Sequence, residues 1–239
     1  MPLALITGGG SSIGEGIARC LAARGWNVAV TDIKLDLARR VAEAAGGAPR
    51  AQAVALDATD AAAIKTTVQK LIETHTHIDA LVNVAGGMRG LGIPKTNFVD
   101  MTPEVWTRII DVNLQSVLRC THAVLPGMIA ARRGAIVSIA ASRGLRGGPQ
   151  ASIYSAAKAA IIVFSQSLAQ EVGPFGIRVN TVAPGNAEAR WKKAEQARSP
   201  LGRQTSGEDV GKAVAFLLSE DASHITGSCL DVSGGTALH

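Results

Sequence analysis

The sequence predicts an α/β fold, with a mostly parallel sheet carrying helices on both faces. Three observations lead there. Seven short apolar runs alternate with amphipathic segments along the chain. The runs are continuous and β-branched rather than alternating, as suits strands buried on both faces. A glycine-rich stretch directly follows the first run, where a strand would turn into a helix. Repeated strand–helix–strand order gives a parallel sheet with crossover helices. No internal repeat, low-complexity segment or linker divides the 239 residues, so one domain, 1–239, is expected.

The first run is LALIT (3–7), which opens into GGGSSIGEG and a helix near 13–24. Such a turn lets backbone N–H groups approach a pyrophosphate, and the helix N-terminus adds partial positive charge. The second run, WNVAVTD (26–32), ends in Asp32, 18 residues beyond Gly14. An acid there can accept from both ribose hydroxyls of an adenosine and repels a 2′-phosphate. Asp32 therefore argues for NAD over NADP, and Lys34 softens the preference. A helix near 35–45 leads to AQAVALD (51–57), and Thr59-Asp60 can cap the next helix, near 60–75. DALVNVAG (79–86) precedes a long helical segment, 103–131, whose start Thr102-Pro103-Glu104 puts Pro in the first turn. GAIVSIA (134–140), a polar loop and a helix over 154–172 follow, then GIRVNTVAP (176–184), a helix near 207–219 and CLDVS (229–233).

The helix over 154–172 opens with Tyr154 and Lys158. Four residues apart, they lie on one face, one turn apart. A fixed ammonium beside a phenol favours the phenolate and draws the Tyr pKa toward neutrality. Tyr154, the only Tyr in the chain, is then a candidate general acid/base for an alcohol or carbonyl oxygen. Tyr–Lys pairs at this spacing also occur on many surface helices. The glycine turn and Asp32 supply the context that gives this one meaning.

Composition excludes other classes. Apolar residues make up 47 % and aromatics 3 %, the profile of a compact Ala-, Val-, Ile- and Leu-rich protein rather than a disordered chain. No apolar run approaches the ~18 residues of a membrane span, and Met1 leads directly into LALITGGG without a secretory pattern. A cytoplasmic protein with no membrane partner is expected. Three cysteines and five histidines show no ligand spacing, so neither a disulfide nor a metal is expected. His75 and His77 should be solvated at a helix end. The net charge is +5, with Arg132, Arg133, Arg143 and Arg146 in a stretch that lacks any acid. No recognition motif or stacking platform accompanies it. A solvated face or attraction for an anionic substrate is the reading, not nucleic acid.

These residues fall into a known order. The sequence resembles a short-chain dehydrogenase/reductase from residue 3 to about 235. Thr7-Gly8 through Gly14 align with TGxxxGxG, taking in Ser12 and Ile13. Asp57, followed by Ala58, matches the acid that holds the adenine, and Ile33 follows Asp32. Asn83-Val84-Ala85-Gly86 stands for NNAG, Asn113 lies in DVNL, and Tyr154 to Lys158 matches YxxxK. Pro184-Gly185 follows the sixth strand, and PLGR (200–203), EDV (208–210) and Gly234-Gly235 resemble the C-terminal portion. The resemblance implies a single Rossmann-type domain with a seven-stranded sheet, hydride transfer with NAD(P), and a homodimer or homotetramer. It implies that Gly8, Ser12, Ile13, Gly14, Asp32, Ile33, Asp57, Ala58, Asn83, Ala85, Gly86, Pro184 and Gly185 line the cofactor with Tyr154 and Lys158. Lys158 would bind the nicotinamide ribose. Asn113 would bend its helix and hold a water that links Lys158 to solvent.

Three departures matter. The middle glycine of TGxxxGxG is Ser12; the register Gly10-Gly14-Gly16 also fits, but Gly8 directly follows the strand and is preferred. The family Ser, thirteen residues before the Tyr, is Ala141, with Ala140 before it and Ser142 after. Losing one donor to the substrate oxygen typically costs on the order of 10²–10³ in rate. The chain is then an engineered Ser-to-Ala variant, or uses Ser142 or Ser138, or is a weakened natural member. Ala189 replaces a Thr that contacts the nicotinamide amide, within a short lid segment over about 186–203. Such a lid implies an open site or one completed by a neighbouring subunit. Ser142, Arg143, Arg146 and Arg190 are substrate candidates; Arg143, Arg146 and Arg190, with Lys192, Lys193 and Arg198, either hold a carboxylate, sulfonate or thioester-linked phosphate or are solvated loop charges. The expected reaction is reversible oxidation of a secondary alcohol to a ketone by NAD. The alternatives are an NADPH-dependent 3-ketoacyl-type reductase and, from another class, a non-catalytic nucleotide-binding scaffold.

Overall fold

In the computed structural model, which describes residues 1–185 and 199–236, seven strands form one sheet. They are β1 (Leu3–Thr7), β2 (Asn27–Asp32), β3 (Ala51–Ala55), β4 (Ala80–Asn83), β5 (Gly134–Ile139), β6 (Ile177–Pro184) and β7 (Cys229–Val232). Their order is β3-β2-β1-β4-β5-β6-β7, and every pairing is parallel. The helices are α1 (Ser12–Ala22), α2 (Leu35–Ala44), α3 (Ala61–His75), α4 (Pro103–Ile110), α5 (Ser116–Ala131), α6 (Ser142–Arg146), α7 (Ser152–Val172) and α8 (Gly207–Leu218).

The unbroken apolar runs follow from burial on both faces. In β1, Ala4 and Ile6 join the core under α1, α2 and α8, while Leu3 and Leu5 join the one under α3, α5 and α7. Side chains alternate along a strand, so both sets must be apolar when both faces are covered. The chain winds outward from β1 in one direction through β2 and β3, then back to β4 on the other side. Thr7 and Asn83 pair at the carboxyl ends of β1 and β4, where the winding reverses. Ligands bind at such a switch point in open α/β sheets.

Local chemistry sets the helix starts. Asp60 accepts from the amides of Ala62 and Ala63 at 2.8 and 3.0 Å, capping α3 as its sequence predicts. Ser206 and Asp209 form a reciprocal capping box at α8. Pro103 is the first residue of α4.

The structure departs from the sequence reading in four places. The segment 103–131 is not one helix: a π-helical turn, Asp111–Gln115, separates α4 from α5. The short helix α6 has no periodic signal to announce it. The basic stretch from Arg132 to Arg146 is not one patch, because β5 carries its halves to opposite ends of the sheet. Arg133 pairs with Asp79 at 3.4 Å and Arg132 lies over the Phe175 ring, whereas Arg143 and Arg146 follow the strand's carboxyl end. His75 and His77 are partly buried rather than solvated. His75 Nε2 lies 2.9 Å from Gln52 Nε2, and the His77 side chain is 11 % exposed, beside Asp79.

Candidate active site

The glycine turn between β1 and α1 is shaped by what a side chain would strike. Gly8 has φ +61°, and a Cβ there would fall 2.5 Å from the Cα of Ala85. A Cβ on Gly14 would run into the backbone of Gly9. Ser11 caps α1 by accepting from Gly14 N at 3.1 Å. The amides of Ser12 and Ile13, in the first turn, have no carbonyl behind them within the helix. Ser12 is exposed there, beside the site of phosphate approach. Gly10 and Gly16 are close-packed for other reasons: Gly10 against Leu37 and Asp32, Gly16 against Gly207 of α8. The turn therefore fits a pyrophosphate with Gly8 and Gly14 as its tight positions.

Asp32 closes the far end of this turn. Its Oδ2 accepts from Gly10 N at 3.1 Å and its Oδ1 from Lys34 N at 2.9 Å. A carboxylate has about four acceptor positions, so these two bonds fix its orientation and leave capacity for hydroxyls. Ile33 beside it is 67 % exposed, an apolar surface open to a ligand's flat ring. Asp57 Oδ1 accepts from the amide and hydroxyl of Thr59, at 2.8 and 2.7 Å, and fixes the loop through Ala58. Pro184 ends β6 and Gly185 follows it. A Cβ on Gly185 would lie 2.9 Å from Ser233 Cα.

Two of the catalytic candidates, Asn113 and Lys158, converge on Gly86. A Cβ there would fall 2.9 Å from Asn113 Oδ1 and 3.1 Å from Lys158 Nζ. With φ +145°, this position takes glycine by conformation as well as by space. Asn113 is fully buried in the π-helical turn. It accepts from Gly87 N at 2.7 Å and donates to Ile109 O at 3.0 Å, a carbonyl of the preceding turn. That side-chain bond accompanies the widened turn, as local side-chain competition with helical hydrogen bonding would have it. Lys158 is buried and donates to Ile139 O at 2.8 Å, at the carboxyl end of β5. Burial pushes its pKa down to about 8. At pH 7 it is still mostly charged, roughly ten to one. Nζ lies 5.9 Å from the centre of the half-buried Tyr154 ring.

Other sequence candidates sort by position. Ala141 is the N-cap residue of α6, half-buried and extended, with no side-chain cap. Ser142 is the first residue of α6. Ser138 is 1 % exposed inside β5 and accepts from Asn83 Nδ2 at 3.1 Å, so it is spent within the sheet. Asn83 is 1 % exposed, and its amide also donates to Thr121. Its side chain ties β4 to β5 and α5. Arg143 is half-buried, its guanidinium against Gly148; Arg146 is exposed. Arg190, Ala189, Lys192, Lys193 and Arg198 lie outside the described residues. Sequence reasoning missed two parts of the site. Gly87 holds Asn113, and Arg40 reaches over the glycine turn to Gly10 O and Glu15. Neither falls in a contiguous motif.

Three comparisons bear on this geometry. The family model described as enoyl-(acyl carrier protein) reductase matches residues 8–237. The chain is 38 % identical over 242 residues to the 3-oxoacyl-(acyl-carrier-protein) reductase of Escherichia coli strain K12, a match covering 98 % of this chain and 96 % of that enzyme. It is 37 % identical over 252 residues to the oxidoreductase UcpA of Salmonella typhimurium, covering 98 % and 94 %. Among solved structures, the 3-ketoacyl-(acyl-carrier-protein) reductase of Brucella melitensis complexed with NADH superposes with a TM-score of 0.92 at 32 % identity, covering 99 % of this chain and 98 % of that one.

Proposed function

This chain belongs to the short-chain dehydrogenase/reductase family, and on that premise we propose that it reversibly oxidises a secondary alcohol to a ketone with NAD. It is an oxidoreductase of the CH–OH and keto groups; the choice of NAD and of alcohol is the proposal. The observation that carries it is the meeting of Lys158 and Asn113 at Gly86, beside Tyr154, across the switch point from the glycine turn.

A bound nicotinamide would supply the hydride acceptor. Tyr154 takes the hydroxyl proton as the carbonyl forms and returns it in reduction. The Lys158 ammonium, 5.9 Å from the centre of the Tyr154 ring, favours the phenolate. The lysine is held by the Ile139 carbonyl, so its charge stays fixed while the proton moves. Asn113 shapes the helix behind it and positions Gly87. The amides of Ser12 and Ile13 would hold the pyrophosphate, and Asp32 the adenosine ribose. Ala141 offers no hydroxyl to the substrate oxygen. Ser142 is the nearest candidate in sequence to replace it. Arg143 is available for an anionic group at the other end of the substrate.

A second reading has its own support. The 38 % identity to a 3-oxoacyl-(acyl-carrier-protein) reductase favours a 3-ketoacyl thioester as substrate, and in this reading the cofactor is NADPH. Asp32 speaks against the phosphorylated cofactor, and the Brucella relative complexed with NADH is compatible with that. The test is NADH formation at 340 nm over neutral and anionic secondary alcohols, with NADP beside NAD, at low and high salt. Turnover with NAD supports the proposal, and a salt-sensitive rate on anionic alcohols alone assigns a role to the arginines. Turnover confined to 3-ketoacyl thioesters and NADPH favours the second reading. Binding of NAD without turnover, even after Ala141→Ser, supports a non-catalytic protein.

A further inference from the structure

Arg40 of α2 lies across the glycine turn. Its Nη1 pairs with Glu15 Oε2 at 3.0 Å, and its Nη2 donates to Gly10 O at 3.3 Å. Gly10 is also the residue whose amide Asp32 holds at 3.1 Å. Two acids, Glu15 and Asp32, and one guanidinium, that of Arg40, are thus gathered around one turn residue. The group comes from three separate elements: the first turn of α1, the end of β2 and the middle of α2.

This arrangement bears on cofactor choice, and the inference rests on the dinucleotide reading above. With the adenosine ribose at Asp32, a 2′-phosphate would be placed beside the same turn. Asp32 repels it. A guanidinium there would attract it, because the fork of Arg matches a phosphate bidentately. Here one arm of that fork is taken by Glu15 and the other by the Gly10 carbonyl. We propose that the Glu15–Arg40 ion pair is the second determinant of NAD selectivity, holding back from a 2′-phosphate the guanidinium that would otherwise recognise it. Asp32 supplies the repulsion, and Glu15 cancels the attraction. Specificity then comes from two elements, one of which merely occupies a competing group.

The pair is partly solvated, with Arg40 56 % and Glu15 28 % exposed. Such pairs contribute little to folding, so Glu15→Gln is a mild change for the protein. The experiment is a calorimetric titration of NAD and of NADP into the parent, Glu15→Gln, Arg40→Gln and the double variant. Removing an acid near the pyrophosphate alters both affinities alike, so the ratio of the two dissociation constants is the readout. The parent should prefer NAD. Glu15→Gln should shift the ratio toward NADP by about tenfold, and Arg40→Gln in the same chain should cancel the shift. An unchanged ratio in Glu15→Gln overturns the proposal while leaving the dinucleotide site intact. A shift that survives loss of Arg40 overturns it also, as does a parent that already prefers NADP. If the parent binds neither nucleotide, the dinucleotide reading fails first and the proposal with it.

Discussion

Lys158 shows how one residue trades stability for chemistry. It is buried and donates to the Ile139 carbonyl, and burial pushes its pKa down to about 8. The unfolded lysine titrates near 10.4. Between those two pH values the unfolded chain binds the proton and the folded chain does not, so stability rises with pH across that window. Below pH 8 the full burial penalty applies, roughly 3 kcal/mol. Lys158→Met should therefore abolish turnover yet raise unfolding free energy at pH 7 by about 1–3 kcal/mol, and the gain should vanish by pH 10.5. Denaturant unfolding of parent and variant at several pH values checks this. The difference between them is the readout, because Cys120, whose thiol burial pushes up to about 12, acts in the opposite sense in both. A variant less stable than the parent at pH 7 would contradict the account. That Tyr154 and Lys158 share one helix face was legible in sequence from their spacing, and Nζ lies 5.9 Å from the ring centre. That Ser138 is unavailable was not, since its partner Asn83 is 55 residues away.

At the level of elements, the seven strands were legible because burial on both faces demands unbroken apolar runs. The π-helical turn was not. It has no hydrophobic period of its own, and it accompanies a single Asn side chain bonded to a carbonyl four residues back. Helix α6 escaped for a related reason: five residues are too few to show a period. Two predictions belong here. Asp60→Ala should remove the cap of α3 and cost about 1 kcal/mol, seen as a lower melting temperature with nucleotide binding unchanged. Gly14→Ala should drive a methyl into the Gly9 backbone and cost about 1–3 kcal/mol or more. Unlike the cap variant, it should also weaken NAD binding, because it distorts the turn that presents the amides. Equal NAD affinity in Gly14→Ala and the parent would show that the turn does not hold the cofactor.

For the whole molecule, the sequence showed a parallel sheet but not its strand order, which depends on how each crossover closes rather than on any local pattern. The order matters because it places the glycine turn and the Asn113–Lys158 pair on opposite sides of one switch point. Charge was also misleading in one dimension: a run of arginines became two separate groups once β5 intervened. Among the described residues, β7 ends the sheet, and Leu230 on it is 37 % exposed. Phe216 of α8 and Val163 of α7 are 42 % and 61 % exposed. α7 and α8 lie on opposite faces of the sheet, so these residues form no single patch, and the expectation of a homodimer or homotetramer rests on the family resemblance alone. Light scattering at micromolar concentration should give a multiple of the chain mass, and a monomer would refute the assembly.

In the proposed function Tyr154 moves the proton in an NAD-linked alcohol oxidation, and Ala141 leaves the reaction short of one donor. The most direct measurement is NADH formation at 340 nm by the parent, by Ala141→Ser, and by Ala141→Ser combined with Tyr154→Phe. Ala141→Ser should gain on the order of 10²-fold, and the gain should be lost together with the parent rate when Tyr154 is removed. A Tyr154→Phe chain that keeps its activity, with NAD still bound, would contradict it.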